Sequence, residues 1–186
     1  MKKTASLLLL LFCVLALRAQ NSIHLTPEEF FHLMTEATFE EFDSLTQHYL
    51  EPVKGYQLLK AEKVDDVSQI TSDVIPDGAT TYRLAWLSSN CDLSKSGLPA
   101  GLDYSCLQVV LTPATHAVHT AVMQYSRKEY ADRMAQVLLG KGYVVKSESK
   151  ETGQKLYALP REGECYDAYS IVERDGLYYI SWYAAL

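Results

Sequence analysis

Two tripeptides constrain this chain more than any other feature. Lys54-Gly55-Tyr56 and Lys141-Gly142-Tyr143 each stand where a helical pattern stops and an apolar strand pattern begins. Glycine accepts the left-handed conformation that ends many helices, because it has no Cβ to clash with the backbone. Each tripeptide therefore predicts a helix before it and a strand after it. Helix starts share one device as well. Thr26-Pro27-Glu28-Glu29, Thr38-Phe39-Glu40-Glu41 and Ser126-Arg127-Lys128-Glu129 all read Ser/Thr-x-x-Glu. In this pattern the hydroxyl accepts the backbone N–H three residues on, and the Glu reaches back to the cap N–H. Pro27 at the first helical position strengthens the first case.

These signals place helices over 27–35, 39–50 and 127–140. The second is expected to bury Phe39, Phe42, Leu45 and Tyr49, and the third Tyr130, Met134, Val137 and Leu138. Thr38 to Gly55 and Ser126 to Gly142 are nearly equal spans, and an aromatic residue sits four after each cap (Phe42, Tyr130). The pattern reads as a diverged internal duplication, each unit a helix followed by a β-meander.

The C-terminal unit predicts strands near 143–149, 154–159, 165–173 and 177–184. Asp175-Gly176 makes a tight hairpin, since that pair tolerates the positive φ of a type I′ turn. A two-residue turn there pairs Ile171 with Ile180 and Tyr169 with Trp182, leaving Ser170, Val172 and Ser181 on the other face. The middle predicts strands near 80–88, 105–112 and 117–125, with Pro113 to His116 turning the last two into a hairpin. Segment 61–79 has helical spacing but β-branched residues, and its type stays open. The fold class is α+β: antiparallel sheet with helices packed on one face, in two diverged helix-plus-meander repeats. Residues 20–186 read as one domain with candidate halves 20–104 and 105–186. In element order alone the tandem units resemble the β-lactamase inhibitory protein architecture. That likeness rests on no motif and implies no function.

The N-terminus predicts export. Lys2 and Lys3 precede Leu7–Leu17, a run without a polar side chain. As a helix it rises roughly 16 Å, against a bilayer core of about 30 Å. Basic start, short apolar run and the small Ala19 describe a cleavable signal over 1–19. Phe12 before Cys13 argues against a lipid anchor, so the expected address is periplasm, outer surface or medium. The full chain carries a formal charge of −6. The signal removes Lys2, Lys3 and Arg18 and no acid, leaving the rest more acidic still. Such a chain is unsuited to phosphate backbones and anionic lipid, so no nucleic acid is expected, and no second apolar run is long enough to span a membrane once the signal is cleaved.

Cys91, Cys106 and Cys165 remain after the signal. In an oxidising compartment Cys91 and Cys106 are expected to pair, stapling the long connection 89–104. Placing Cys91 opposite Cys106 sets Trp86 opposite Leu111, and puts Tyr82, Leu84 and Trp86 on one face with Leu107, Val109 and Leu111.

No motif carries catalytic chemistry. His116 and His119 would share a face on a helix, but here they flank a strand and point apart. No Cys or His set has zinc spacing, and the cysteines lack a nucleophile signature. No metal or cofactor is expected. Binding candidates are Asp92, Lys95, Leu98 and Tyr104 of the loop. Tyr166, Tyr179 and Tyr183 on the less apolar face of the last hairpin join them, since Tyr combines contact area with a hydroxyl. The expected function is a non-catalytic secreted or periplasmic binding or accessory protein, with another protein or an envelope component as partner. Alternatives are a carboxylate-dependent envelope hydrolase and a structural envelope component.

Overall fold

The computed structural model describes residues 24–64, 79–88, 103–160 and 167–184. Among the described residues the backbone is one eight-stranded antiparallel sheet with three α-helices. Strands β1 (Tyr56–Val64), β2 (Thr81–Ser88), β3 (Ser105–Thr112) and β4 (Ala117–Tyr125) form one meander. Strands β5 (Val144–Glu148), β6 (Lys155–Ala158), β7 (Ala168–Arg174) and β8 (Leu177–Tyr183) form another. The order β1-β2-β3-β4-β8-β7-β6-β5 joins the meanders through their last strands.

Helix α1 (Pro27–Phe31) starts on the predicted capping box: Thr26 accepts from the Glu29 N–H while Glu29 Oε2 accepts from the Thr26 N–H at 2.7 Å. Helix α2 (Phe39–Leu45) has the Thr38 half of the device. Helix α3 (Lys128–Gly140) does not use its Ser. Arg127 is the cap residue, and Ser126 Oγ instead accepts the Tyr104 N–H at 3.0 Å. The hydroxyl was taken by the neighbouring strand, a competition invisible to a local pattern.

Both α1 and α2 end in something the sequence did not predict. Each widens into a π-helical turn, His32–Glu36 and Thr46–Leu50. The Ala37 N–H reaches His32 O and the Lys54 N–H reaches Tyr49 O, both five residues back. The Phe42, Met134 and Leu138 positions are buried as expected, whereas Phe39, Leu45, Tyr49, Tyr130 and Val137 are only half-buried. The widened turn rotates the end of α2, so that Thr46 and Leu50 are buried instead.

The main core gathers Leu25, Phe30, Phe31 and Leu50 from the helical region, Met134 and Leu138 from α3, and alternate strand residues. The strand contribution follows register: Leu107 faces Met123, Met123 faces Ile180, and Ile180 faces Ile171. The predicted hairpin pairs Ile171–Ile180 and Tyr169–Trp182 are present. The β2–β3 register differs from the expected one. Trp86 faces Leu107 and Tyr82 faces Leu111, a slip of four residues, and Cys106 faces Leu87. An even slip keeps every side chain on its face, so the apolar set is the predicted one while the cysteine-derived alignment is not.

Both outer strands are guarded. β1 shifts register between Leu58 and Lys60, and β5 between Val145 and Ser147. Bulges with lysine nearby (Lys60, Lys146) break the flat edge on which another strand would add.

Gly55 and Gly142 both adopt positive φ, 69° and 89°, as the tripeptides predict. Gly142→Ala meets nothing nearer than Leu159 Cδ2 at 3.9 Å, so its cost is backbone conformation alone. It should destabilise by about 1–2 kcal/mol. Gly140→Ala, in helical conformation with open space around its Cβ, should stabilise by about 0.5–1 kcal/mol. Urea denaturation of the pair should give opposite signs; equal signs would show that φ does not govern the Gly142 position.

Candidate functional site

His24 and Leu25, just before α1, form a buried strap. His24 and Leu25 are 2% and 0% exposed. Three tyrosine and serine hydroxyls hold them. Tyr56 OH accepts the Leu25 N–H at 2.9 Å, Tyr125 OH donates to Leu25 O at 2.5 Å, and His24 Nδ1 lies 2.9 Å from Ser105 Oγ. Tyr56 OH also lies 2.5 Å from Ser105 Oγ. On the other side of the ring, His24 Nε2 sits 3.2 Å from Asp103 Oδ1. Arg127 and Ser126 also reach the Asp103 carboxylate.

Ser105, His24 and Asp103 thus have the order of a nucleophile, base and orienting acid. The surroundings close that chemistry. Ser105 is 0% exposed, with Tyr56 OH beside its oxygen. Its own N–H donates to Ser88 Oγ at 3.0 Å and is not open to an oxyanion. The base belongs to the strap that covers the nucleophile, so moving the strap to admit a substrate also removes the base. The cluster hydrogen-bonds buried polar groups of the strap, and no open approach leads to Ser105.

A second cluster continues from it. Glu29 receives Thr26 N–H, Tyr49 OH at 2.6 Å and Lys54 Nζ at 3.0 Å, while Lys54 Nζ also donates to His24 O. Burial pushes the Glu29 carboxyl up, but these donors outweigh it and hold the group below its ordinary value. Burial raises the Tyr49, Tyr56 and Tyr125 hydroxyls, which therefore stay protonated as donors. His32 is raised by bonds to Glu36 and Glu41. Between α1 and α2 lies a cavity of about 190 Å³ lined by Leu25, Glu29, His32, Leu33, Leu45, Tyr49 and Leu50.

The sheet positions of opposite parity to the main core form a different surface. Register aligns Gln108, Val122, Ser181, Ser170 and Leu156 in one row. Cys106, Gln124, Tyr179 and Val172 form a second, and Thr120, Tyr183, Ala168 and Ala158 a third. None of these thirteen is charged, in a chain where 22% of residues are, and charge returns only at the border, with Arg83 beyond Val110 in the third row and Arg174 beyond Val172. Most are half-buried, and Tyr183 is 43% exposed.

Of the predicted binding residues, Tyr179 and Tyr183 share this surface. Tyr104 is buried beside Leu87 and Cys106, and Gln124 Nε2 donates to its hydroxyl at 3.1 Å. Asp92, Lys95, Leu98 and Tyr166 lie outside the described residues, as does Cys91 of the expected Cys91–Cys106 pair. Sequence reasoning missed the strap, because His24 and Ser105 are 81 positions apart and neither sits in a motif. Among the described residues no group of three or more His, Cys, Asp or Glu is placed to hold a metal ion. Nor is any described helix long and apolar enough to cross a membrane.

Known protein-family models, curated proteins and solved structures give no match to this chain.

The buried His24 makes stability depend on pH. Burial, against the pull of Asp103, holds its pKa below the ordinary 6.5. The unfolded chain then binds the proton more readily than the folded one. Stability should fall as pH drops below about 6.5 toward the folded-state pKa. His119, also lowered by burial, adds a slope of the same sign. Chemical denaturation from pH 7 to 5 should show this loss, and His24→Gln should flatten part of it. An unchanged slope in His24→Gln would mean that the ring does not titrate with folding.

Proposed function

We propose that this is a non-catalytic exported binding protein, and that the uncharged sheet surface is where its partner docks. The observation that carries the reading is the row set around Tyr179, Tyr183 and Val122: an uncharged strip crossing β3, β4, β8, β7 and β6 of an acidic chain. Tyr with Ser, Thr and Gln is the composition of adaptable protein-binding surfaces. The rings give rigid contact area at low entropy cost, and the short polar chains adjust their hydrogen bonds. Removing charge matters here, because desolvating unpaired charge would oppose docking.

Two further observations favour this surface over other parts of the molecule. The sheet edges are bulged and lysine-marked, which disfavours strand addition as the binding mode. Among the described residues, the constellation with catalytic order is sealed by its own strap. In this reading the helices cover the opposite face of the sheet, and the molecule is two diverged units. Each unit is a helix, a Lys-Gly-Tyr stop and a four-stranded meander, and their equivalent final strands β4 and β8 meet at the centre. The signal at 1–19 delivers the protein to the envelope or beyond it, where that partner is a protein or another envelope component.

Photo-crosslinking in the native cell envelope tests the assignment. Benzoylphenylalanine at Tyr183 should capture a discrete partner. The same probe at Lys150, on an exposed turn away from the rows, should not. Equal capture at both positions, or none at Tyr179 and Tyr183, removes the surface from consideration.

A further inference from the structure

We propose that His32 and His116 form a two-point clasp on the first turn of α2, and that the His32 half of the clasp opens as pH rises. Glu40 and Glu41 are consecutive residues of that turn, and each meets a histidine from a different element. Glu41 Oε1 lies 3.2 Å from Nε2 of His32, in the π-turn after α1. Glu40 Oε1 lies 3.1 Å from Nδ1 of His116, at the end of the turn between β3 and β4. Consecutive helical residues point about 100° apart, so the two histidines grip different flanks of α2. The helix buries little of itself. Of its seven residues Phe42 alone is buried, with Phe39 and Leu45 half-buried, so side-chain tethers matter to its position.

Proton counting makes His32 the moving half. Its Nδ1 lies 3.0 Å from Glu36 Oε2 while its Nε2 serves Glu41. A neutral imidazole carries one N–H and one lone pair, so donating to both carboxylates at once needs the imidazolium. On losing its proton the ring turns a lone pair toward one of the two carboxylates. Glu36 is four residues on in the same turn, and Lys141 Nζ holds it at 2.6 Å from the end of α3. Glu41 belongs to the other helix, and its side chain is 47% exposed, so it can swing into water. The bond between the helices is therefore the one released.

The charged groups facing His32 are Glu36 on its own turn, with Lys141 on that carboxylate, Glu29 of α1 across the cleft, and Glu41 of α2. Carboxyls and lysines ordinarily titrate far from pH 6 to 8, where imidazole changes charge. The Lys141 bond holds Glu36 lower still, and donors hold Glu29 low against burial. The bonds to Glu36 and Glu41 raise His32 above its ordinary 6.5. A raised histidine stabilises fully below 6.5 and loses that contribution as pH climbs through the folded-state value. The slope is opposite in sign to the one that His24 and His119 give the whole fold.

His116 is the pivot. Its φ is 51°, a left-handed conformation that glycine or asparagine adopts at lower cost. What histidine adds there is contact with α2: its ring stacks on Phe39 at 5.2 Å and 17°, beside the Glu40 bond. Stacking needs no proton, and a neutral ring still has one N–H for its one carboxylate. This half holds while the other opens, so α2 loosens from α1 and stays attached to the β3–β4 turn.

Hydrogen exchange read by mass spectrometry from pH 6 to 8, corrected for the intrinsic pH dependence of exchange, tests the clasp. Protection over residues 42–50 should fall about two- to fivefold, the range expected for one exposed charged pair. Its midpoint should match the His32 ring titration followed by NMR, and α3 should show no such step. His32→Gln should be poorly protected at every pH and lack the step. His116→Asn, which keeps the left-handed turn, should lower protection at every pH and retain the step. Constant protection over 42–50, an equal step in α3, or a step that survives in His32→Gln overturns the proposal, as does loss of the step in a folded His116→Asn. Glu41→Gln removes the carboxylate in place of the ring; it should also abolish the step, and it decides should His32→Gln not fold.

Discussion

The pairing of β4 with β8 holds the rest of the structure together. It runs from Thr120–Tyr183 to Tyr125–Tyr178 and is the ladder through which the two meanders become one sheet. The core crosses the same seam, since Met123 and Ile180 face each other and both are 0% exposed. Tyr125, at the end of the ladder, then stacks on Tyr130 of α3 at 4.5 Å and bonds the Leu25 carbonyl of the strap. Tyr169, next to the ladder, stacks on Phe31 and meets Thr35. The helices are therefore fixed to the seam by aromatic side chains that are also hydrogen-bond donors, and not by apolar contact alone.

The sheet was legible wherever the sequence pattern reports a local event. Gly142 must turn left, Asp175-Gly176 must make a tight hairpin, and alternation must put Ile171 and Ile180 on one side. Events that depend on a distant competitor were not legible. Ser126 looks like a cap, but Tyr104 offers its hydroxyl a better-placed N–H. The cysteine-derived alignment of β2 and β3 failed because alternation has a period of two and is blind to an even slip. Side-chain packing chose between registers that the pattern could not distinguish. The π-turns have no composition signature at all: Thr46 and Leu50 are buried because five-residue hydrogen bonds rotate the end of α2, and nothing in the apolar spacing announces that.

The Ser105–His24–Asp103 cluster shows why geometry at the level of distances is insufficient to assign catalysis. A hydrolytic triad needs three things beyond its contacts: an approach for substrate, a vacant donor pair for the oxyanion, and a base that stays in place when the approach opens. Here the approach is filled by the strap, the Ser105 N–H is spent on Ser88, and the base is part of the lid-like segment itself. What the same residues do supply is satisfaction. A strap that carries a His, two backbone amides and their carbonyls into a core would cost several unmet hydrogen bonds, each about 1–3 kcal/mol. Tyr56, Tyr125, Ser105 and Lys54 meet the Leu25 N–H, the Leu25 carbonyl, the His24 ring and the His24 carbonyl, from three strands and the turn before β1.

That satisfaction also shapes the cavity. Leu25 belongs to both the strap and the cavity wall, and Glu29 belongs to both the Lys54 cluster and the wall. Four of the seven lining residues, Leu25, Glu29, His32 and Tyr49, are therefore held by hydrogen bonds, and Leu33, Leu45 and Leu50 by the helices and their widened turns. The buried polar network and the cleft are then one arrangement. The first fixes the wall against the sheet, and the second is the space that a fixed wall and two over-wide helix ends leave between them.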